Sequence, residues 1–352
     1  MRIIDRITLS VALAAFLPCQ LTAQIDTSST LVVVAGQEAA LAYNQGLTDF
    51  GEGRYTKALM DFSDAVDANP SFDKALYNRG VMELHERINQ AAVEDFDNAI
   101  TINPNKAHYH LGRAIALARL SHYDEALKSI RTAEKLGYSA TAIRYYYGYI
   151  YFRMGKLSEA RSSYDEAIKA NSRFAQAYCD RATVHVRTGN YKAALDDYNT
   201  ALEIMPNAYY VYTLRADAKA NMGNFSAAIQ DISYAIQASE AEDDFQFLNA
   251  RGRMYGRWGK CQKAMADFNE CIRLQPKNPD TYINIGLMLM DQKNYAEAEE
   301  QFTTAIKYDG YNISAYHNRA NARELQMKLS LAEKDRKMAN YLNDERKKYI
   351  IN

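Results

Sequence analysis

Cysteine is scarce in this chain, and what there is lies badly placed for chemistry. Four cysteines occur in 352 residues. No two stand in a Cys-x-x-Cys arrangement, which argues against a structural zinc site. Cys261 and Cys271 fall on one predicted helix. At about 1.5 Å of rise per residue they stand roughly 15 Å apart, too far to bridge. Charge of one sign is also missing: 42 basic residues face 43 acidic ones. Bulk charge therefore gives no attraction to nucleic acid. The longest apolar run, Thr8 to Leu17, is too short to span a bilayer.

Catalytic signatures are lacking as well. There is no nucleophile elbow and no metalloprotease helix motif. His108 and His110 sit two residues apart, so on a helix they point to different faces, and His122 falls in a predicted turn. Gly252, Gly256, Gly259 and Lys260 imitate a phosphate loop only superficially. Met254 stands where that loop needs Gly, and Cys261 replaces its Ser or Thr. No enzyme activity, metal or cofactor is expected.

What is present begins with an N-terminal leader. Arg2 and Arg6 precede the Thr8–Leu17 run, and Leu21-Thr22-Ala23 offers a cleavage site that would leave Gln24 first. Residues 1–23 are thus expected to be a signal peptide, and the mature protein to be periplasmic or secreted. Pro18 stands before Cys19 where a lipidation signal needs a small residue, so lipid anchoring is not expected. Three cysteines then remain, Cys179, Cys261 and Cys271, read as small buried side chains. Residues 24–38 form a short segment of their own, polar at Thr27–Thr30 and apolar at Leu31–Val34. That apolar stretch either covers the exposed edge of the first downstream helices or docks into a groove.

From residue 39 the sequence repeats. Frames beginning at Ala39, Asp73, Ala107, Thr141, Ala175 and Tyr209 are 34 residues apart. An insertion, Asp243-Asp244, shifts the later frames to Phe245, Pro279 and Ile313. The eighth position of every frame is small, for example Gly46, Gly80, Gly148, Ala216 and Gly286. The twentieth is always Ala, from Ala58 to Ala332. The twenty-fourth is bulky in eight frames, as in Phe62, Phe96, Tyr164, Ile232, Phe268 and Phe302. Small residues let two helices approach, and the bulky one fills the gap between them. Gly53, Gly155, Gly189, Gly223 and Gly259 mark a turn between the helices, and Pro70, Pro104, Pro206 and Pro276 end the second helix. One such unit cannot bury its own faces, so neighbours must stack.

This pattern resembles the tetratricopeptide repeat family over residues 39–345. The resemblance implies an all-α fold, an α-solenoid of about nine helix-turn-helix repeats wound as a right-handed superhelix. Residues 39–330 would form the array, and the polar stretch 331–352 a C-terminal capping helix and tail.

The resemblance further implies that the first helix of each repeat lines a concave groove. Spacing places positions 2, 5, 9 and 12 on one face. That stripe carries Tyr77, Tyr145, Tyr149 and Phe152, and turns polar at Arg253. Beside it, at position 13, runs a basic row of Arg119, Arg153, Arg187 and Arg257. Arginines recurring at position 7, such as Arg79, Arg215 and Arg251, read as architectural because they run through the whole stack. A known chaperone-tail clamp is not assembled, since its Asn at position 9 occurs only as Asn321. The expected function is a non-catalytic scaffold that holds a protein or peptide with acidic and apolar side chains. A self-associating structural protein, or a carrier of an apolar or glycan ligand, are the alternatives, and oligomeric state stays open.

Overall fold

A computed structural model describes residues 37–239 and 244–351. The predicted leader, Cys19 and Leu31–Val34 lie outside the described residues, as does Asp243 of the insertion. Among the described residues eighteen α-helices succeed one another and no strand occurs. They are α1 (Gln37–Gly51), α2 (Tyr55–Ala68), α3 (Asp73–His85), α4 (Asn89–Ile102), α5 (Ala107–Arg119), α6 (Tyr123–Lys135), α7 (Ala140–Arg153), α8 (Leu157–Ala170) and α9 (Ala175–Arg187). After them come α10 (Tyr191–Ile204), α11 (Tyr209–Asn221), α12 (Phe225–Ala238), α13 (Asp244–Arg257), α14 (Cys261–Leu274), α15 (Pro279–Asp291), α16 (Tyr295–Tyr308), α17 (Ile313–Leu325) and α18 (Leu329–Ile351). Odd-numbered helices are the first of each repeat, and α3, α5, α9, α11, α15 and α17 start on the first residue of their frames. The chain divides within α9 into two compact units, residues up to 184 and residues from 185.

Within a repeat the two helices meet through the pair expected at positions 8 and 24. A Cβ added to Gly286 would lie 2.5 Å from Phe302, and one on Gly148 would lie 2.6 Å from Tyr164. Only glycine allows the aromatic ring that close. Where the filler is the smaller Ile130 or Ile232, the facing residue is Ala114 or Ala216, all fully buried.

The turn between helices has one backbone form throughout. Position 15 is left-handed in all nine repeats: Gly53, Gly155, Gly189, Gly223 and Gly259, and also Arg87, Ser121, Lys293 and Met327, with φ of 60° to 67° in those four. The last four hold a conformation that L side chains adopt at a cost. Asn190, Asn224 and Asn312 cap the helix after them by accepting from the backbone N–H of Ala193, Ala227 and Ala315.

In the unit ending at Val184 one apolar core runs from Tyr43 to Val184 and is rich in aromatics. The unit from His185 has smaller clusters, around Ile232 and Met254, around Phe268 and Met288, and around Ile283 and Phe302. The last helix exposes mainly charged and amide side chains, among them Lys334, Arg336, Lys337 and Asn340. Ala332, Ala339 and Leu342 are buried, but Leu331, Met338 and Tyr341 are exposed on its outer side. The equivalent places in the seventh repeat are Lys263, Glu270 and Arg273.

Candidate functional site

At Tyr77 and Tyr145, position 5 of the first helix turns inward, not towards an open wall. Tyr77 is 1% exposed and packs on Phe96 (5.6 Å between ring centres) and on Tyr109 (5.0 Å). Tyr145 is 3% exposed, lies against Tyr164 and Phe174, and donates its hydroxyl to Asp180 at 2.6 Å. Both tyrosines, expected to touch a partner, are therefore core residues that fasten a repeat to its neighbour. The neighbour answers from position 6. Asn78 donates to the Tyr43 hydroxyl at 3.2 Å, and Asn284 to Asn249 at 3.1 Å. Burial pushes the Asp180 carboxyl up to about 6, and its hydrogen bonds from Tyr145 and Gln176 oppose that rise.

Tyr149, Phe152 and Arg153 do come together, on the last turns of α7. All three are half-buried. Arg153 donates through Nη1 to the Tyr149 hydroxyl at 3.1 Å and holds its guanidinium 5.9 Å from the ring centre. Its Nη2 reaches the carbonyl of Arg119, the last residue of α5, at 3.3 Å. Arg119 in turn donates to the carbonyl of Leu84 near the end of α3. Arg119 and Arg153 thus cap the carbonyl ends of the preceding first helices, where the negative dipole end favours a cation. Arg187 is half-buried at the end of α9, in the second unit.

Arg253 and Arg257 make a second, separate group on α13. Arg253 Nη2 lies 3.0 Å from both carboxylate oxygens of Asp217 on α11, while its buried Nε has no hydrogen-bond partner. Arg257 Nη2 donates to Asn221 at 2.8 Å. Burial pulls the Arg257 guanidinium below its ordinary range, with the nearby Arg253 cation adding and Asp217 opposing. Chemically this group holds a cation already engaged by Asp217 and, at Arg257, a half-buried, poorly solvated cation suited to a carboxylate.

The recurring arginines at position 7 have a clear task that their spacing alone did not name. Arg79 pairs with Asp95, Arg215 with Asp231, Arg251 with Asp267 and Arg319 with Asp335, each from first helix to second within one repeat. The missed signal was an Asp sixteen residues downstream. The pairing is not universal: Tyr147 and Ile285 replace the arginine and face Ser163 and Gln301, Gln45 replaces it although Asp61 is present, and Arg113 meets Ser129 and turns to Asp97 instead. Among the described residues no three His, Cys, Asp or Glu side chains gather as metal ligands, and no helix is long and apolar enough to cross a membrane.

Residues 43–107, 111–161 and 148–209 match one tetratricopeptide repeat family profile, and residues 245–278 and 279–312 match another. Human "Tetratricopeptide repeat protein 6" is 33% identical over 75 residues, which is 21% of this chain and only 14% of that protein. Among solved structures, PilW, a "widely conserved type IV pilus biogenesis factor", aligns at TM-score 0.51 and 18% identity, over 59% of this chain and 97% of that one. A human IFIT1 dimer with PPP-AAAA aligns at TM-score 0.57 and 14% identity, over 87% of this chain and 73% of that one. At such identities the structural likeness is one of fold.

Proposed function

The chain belongs to the tetratricopeptide repeat family, and from that premise we propose that it is a non-catalytic scaffold that binds a protein or peptide along its first helices. The observation that carries this reading is the α7 patch. Tyr149, Phe152 and Arg153 combine a partly accessible aromatic surface with a cation held in place by hydrogen bonds. Rigid aromatics and arginine are the side chains that most often dominate binding energy. A partner's apolar side chain would lie on Tyr149 and Phe152, and its carboxylate on Arg153. In the other unit, Arg253 and Arg257 would take a further acidic group, in competition with Asp217.

The same reading places the protein outside the cytoplasm, supported by the arginine-flanked apolar run at residues 1–23. Mass measurement of the protein purified from its native host tests this: a chain starting at Gln24 supports export, and an intact Met1 counts against it. The binding claim is tested by selecting displayed random peptides on the purified protein. Enrichment of sequences pairing Asp or Glu with aromatic or aliphatic residues supports it, and selection of no sequence class speaks against it.

A further inference from the structure

Two positions of the repeat lie against a neighbouring repeat, position 3 mostly buried there and position 17 mostly half-buried. Position 3 of the first helix meets the preceding repeat. Tyr109 on α5 stacks on Tyr77 and donates its hydroxyl to Asp73 at 3.0 Å, both on α3. Ala75, Ile143, Val211 and Ala315 are buried at the same position. Position 17, at the start of the second helix, meets the next repeat. Tyr55 lies 4.5 Å from His85, Tyr123 donates to the carbonyl of Arg153 at 3.0 Å, and Phe225 stacks on Trp258.

At the two ends of the described array these positions are open. Leu41, at position 3 of α1, is 68% exposed, and Leu329, at position 17 of α18, is 57% exposed. Leu325, at the end of α17, is exposed beside it. The ends also differ in charge. Residues 37–68 hold six acidic and two basic side chains, whereas residues 313–344 hold six basic and four acidic ones. One end is therefore negative and apolar, and the other positive and apolar.

We propose that the first helix pair of one copy seats against the last helix pair of a second copy, so that the repeat-to-repeat contact continues from chain to chain. Leu41 of one copy then takes the place that Tyr109 or Ile143 has inside the array, and Leu329 of the other takes the place of Tyr123 or Phe225. The opposite charges of the two ends choose this pairing over head-to-head or tail-to-tail contact, where like charges meet. Such a contact is heterologous: each copy keeps one free end, and growth is open unless a ring closes. It uses other residues than the α7 patch, so it stands or falls independently of partner binding.

Sedimentation velocity of the mature chain between about 1 and about 200 µM tests this directly. Wild type should associate with rising concentration, about tenfold more weakly when salt rises from about 0.05 to about 0.5 M. Leu41→Glu and Leu329→Glu alter exposed side chains, so circular dichroism should show unchanged helix. Each alone should be monomeric. Mixed in equal amounts they should give dimers and nothing larger, because one retains its tail and the other its head. Wild type that stays monomeric throughout would overturn the proposal, as would a mixture of the two variants that stays monomeric.

Discussion

Arg79 on α3 lays its guanidinium along the carboxylate of Asp95 on α4, Nε to Oδ2 at 2.6 Å and Nη2 to Oδ1 at 2.7 Å. The same two-pronged pairing returns in Arg215–Asp231, Arg251–Asp267 and Arg319–Asp335. In each case the aspartate is buried and the arginine only partly exposed. A planar fork matched to a carboxylate fixes the angle between two helices as well as joining them.

Removing one partner of such a pair leaves the other buried and uncompensated. Arg251→Ala should lower stability by about 2–3 kcal/mol in denaturant unfolding. Arg251→Ala with Asp267→Ala together should cost less than Arg251→Ala alone, because no buried charge is then stranded. An equal or larger loss in the double variant would mean that the pair acts by packing only.

The close approach of Gly286 to Phe302 predicts a paired effect. Gly286→Ala pushes a methyl into the ring and should destabilise by about 1–3 kcal/mol. Adding Phe302→Ile should return part of that loss, since Ala114–Ile130 and Ala216–Ile232 are native versions of the same combination. Thermal unfolding of the single and double variants checks the order.

Met327 occupies the left-handed turn with φ 60° and is 79% exposed. Met327→Gly removes a backbone penalty without touching a core contact, and should raise stability by about 0.5–1 kcal/mol. A loss of stability would mean that the exposed methionine makes a contact of its own.

Glu83 gives a pH dependence. Burial, with the Asp95 charge adding, pushes its carboxyl up to about 8 from an ordinary 4.5, and its Oε2 is buried without a hydrogen-bond partner. The folded state holds this proton more tightly than the unfolded chain. Stability is therefore undiminished below about 4.5 and is lost progressively as pH rises through 8. Glu83→Gln should stabilise by on the order of 2 kcal/mol at pH 8.5, yet change little at pH 4.5. An equal effect at both pH values would mean that Glu83 is not protonated when folded.

Much of the fold was legible because the packing rule repeats. Small residues facing Phe302 or Tyr164, and an Ala at every twentieth position, reveal themselves by recurrence. The left-handed turns at Arg87, Ser121, Lys293 and Met327 were not legible as such, because backbone geometry is imposed by the helices on either side and the side chain gives no sign of it. The site was read less well. Spacing places positions 5 and 9 on one face of a helix, but it cannot say that Tyr77 and Tyr145 face the next repeat while Tyr149 keeps an open edge. Likewise Arg119 and Arg153 were visible as a row, whereas their reach to the carbonyls of Leu84 and Arg119 depends on how far one helix is displaced along the next.

The most direct measurement is calorimetric titration of a display-selected peptide into wild type and into Tyr149→Ala with Phe152→Ala. Each aromatic should contribute more than about 1 kcal/mol, so the double variant should bind at least about tenfold more weakly, with helix content unchanged. Equal affinity for both proteins would contradict the account, because the accessible aromatic face of α7 would then play no part in holding the peptide.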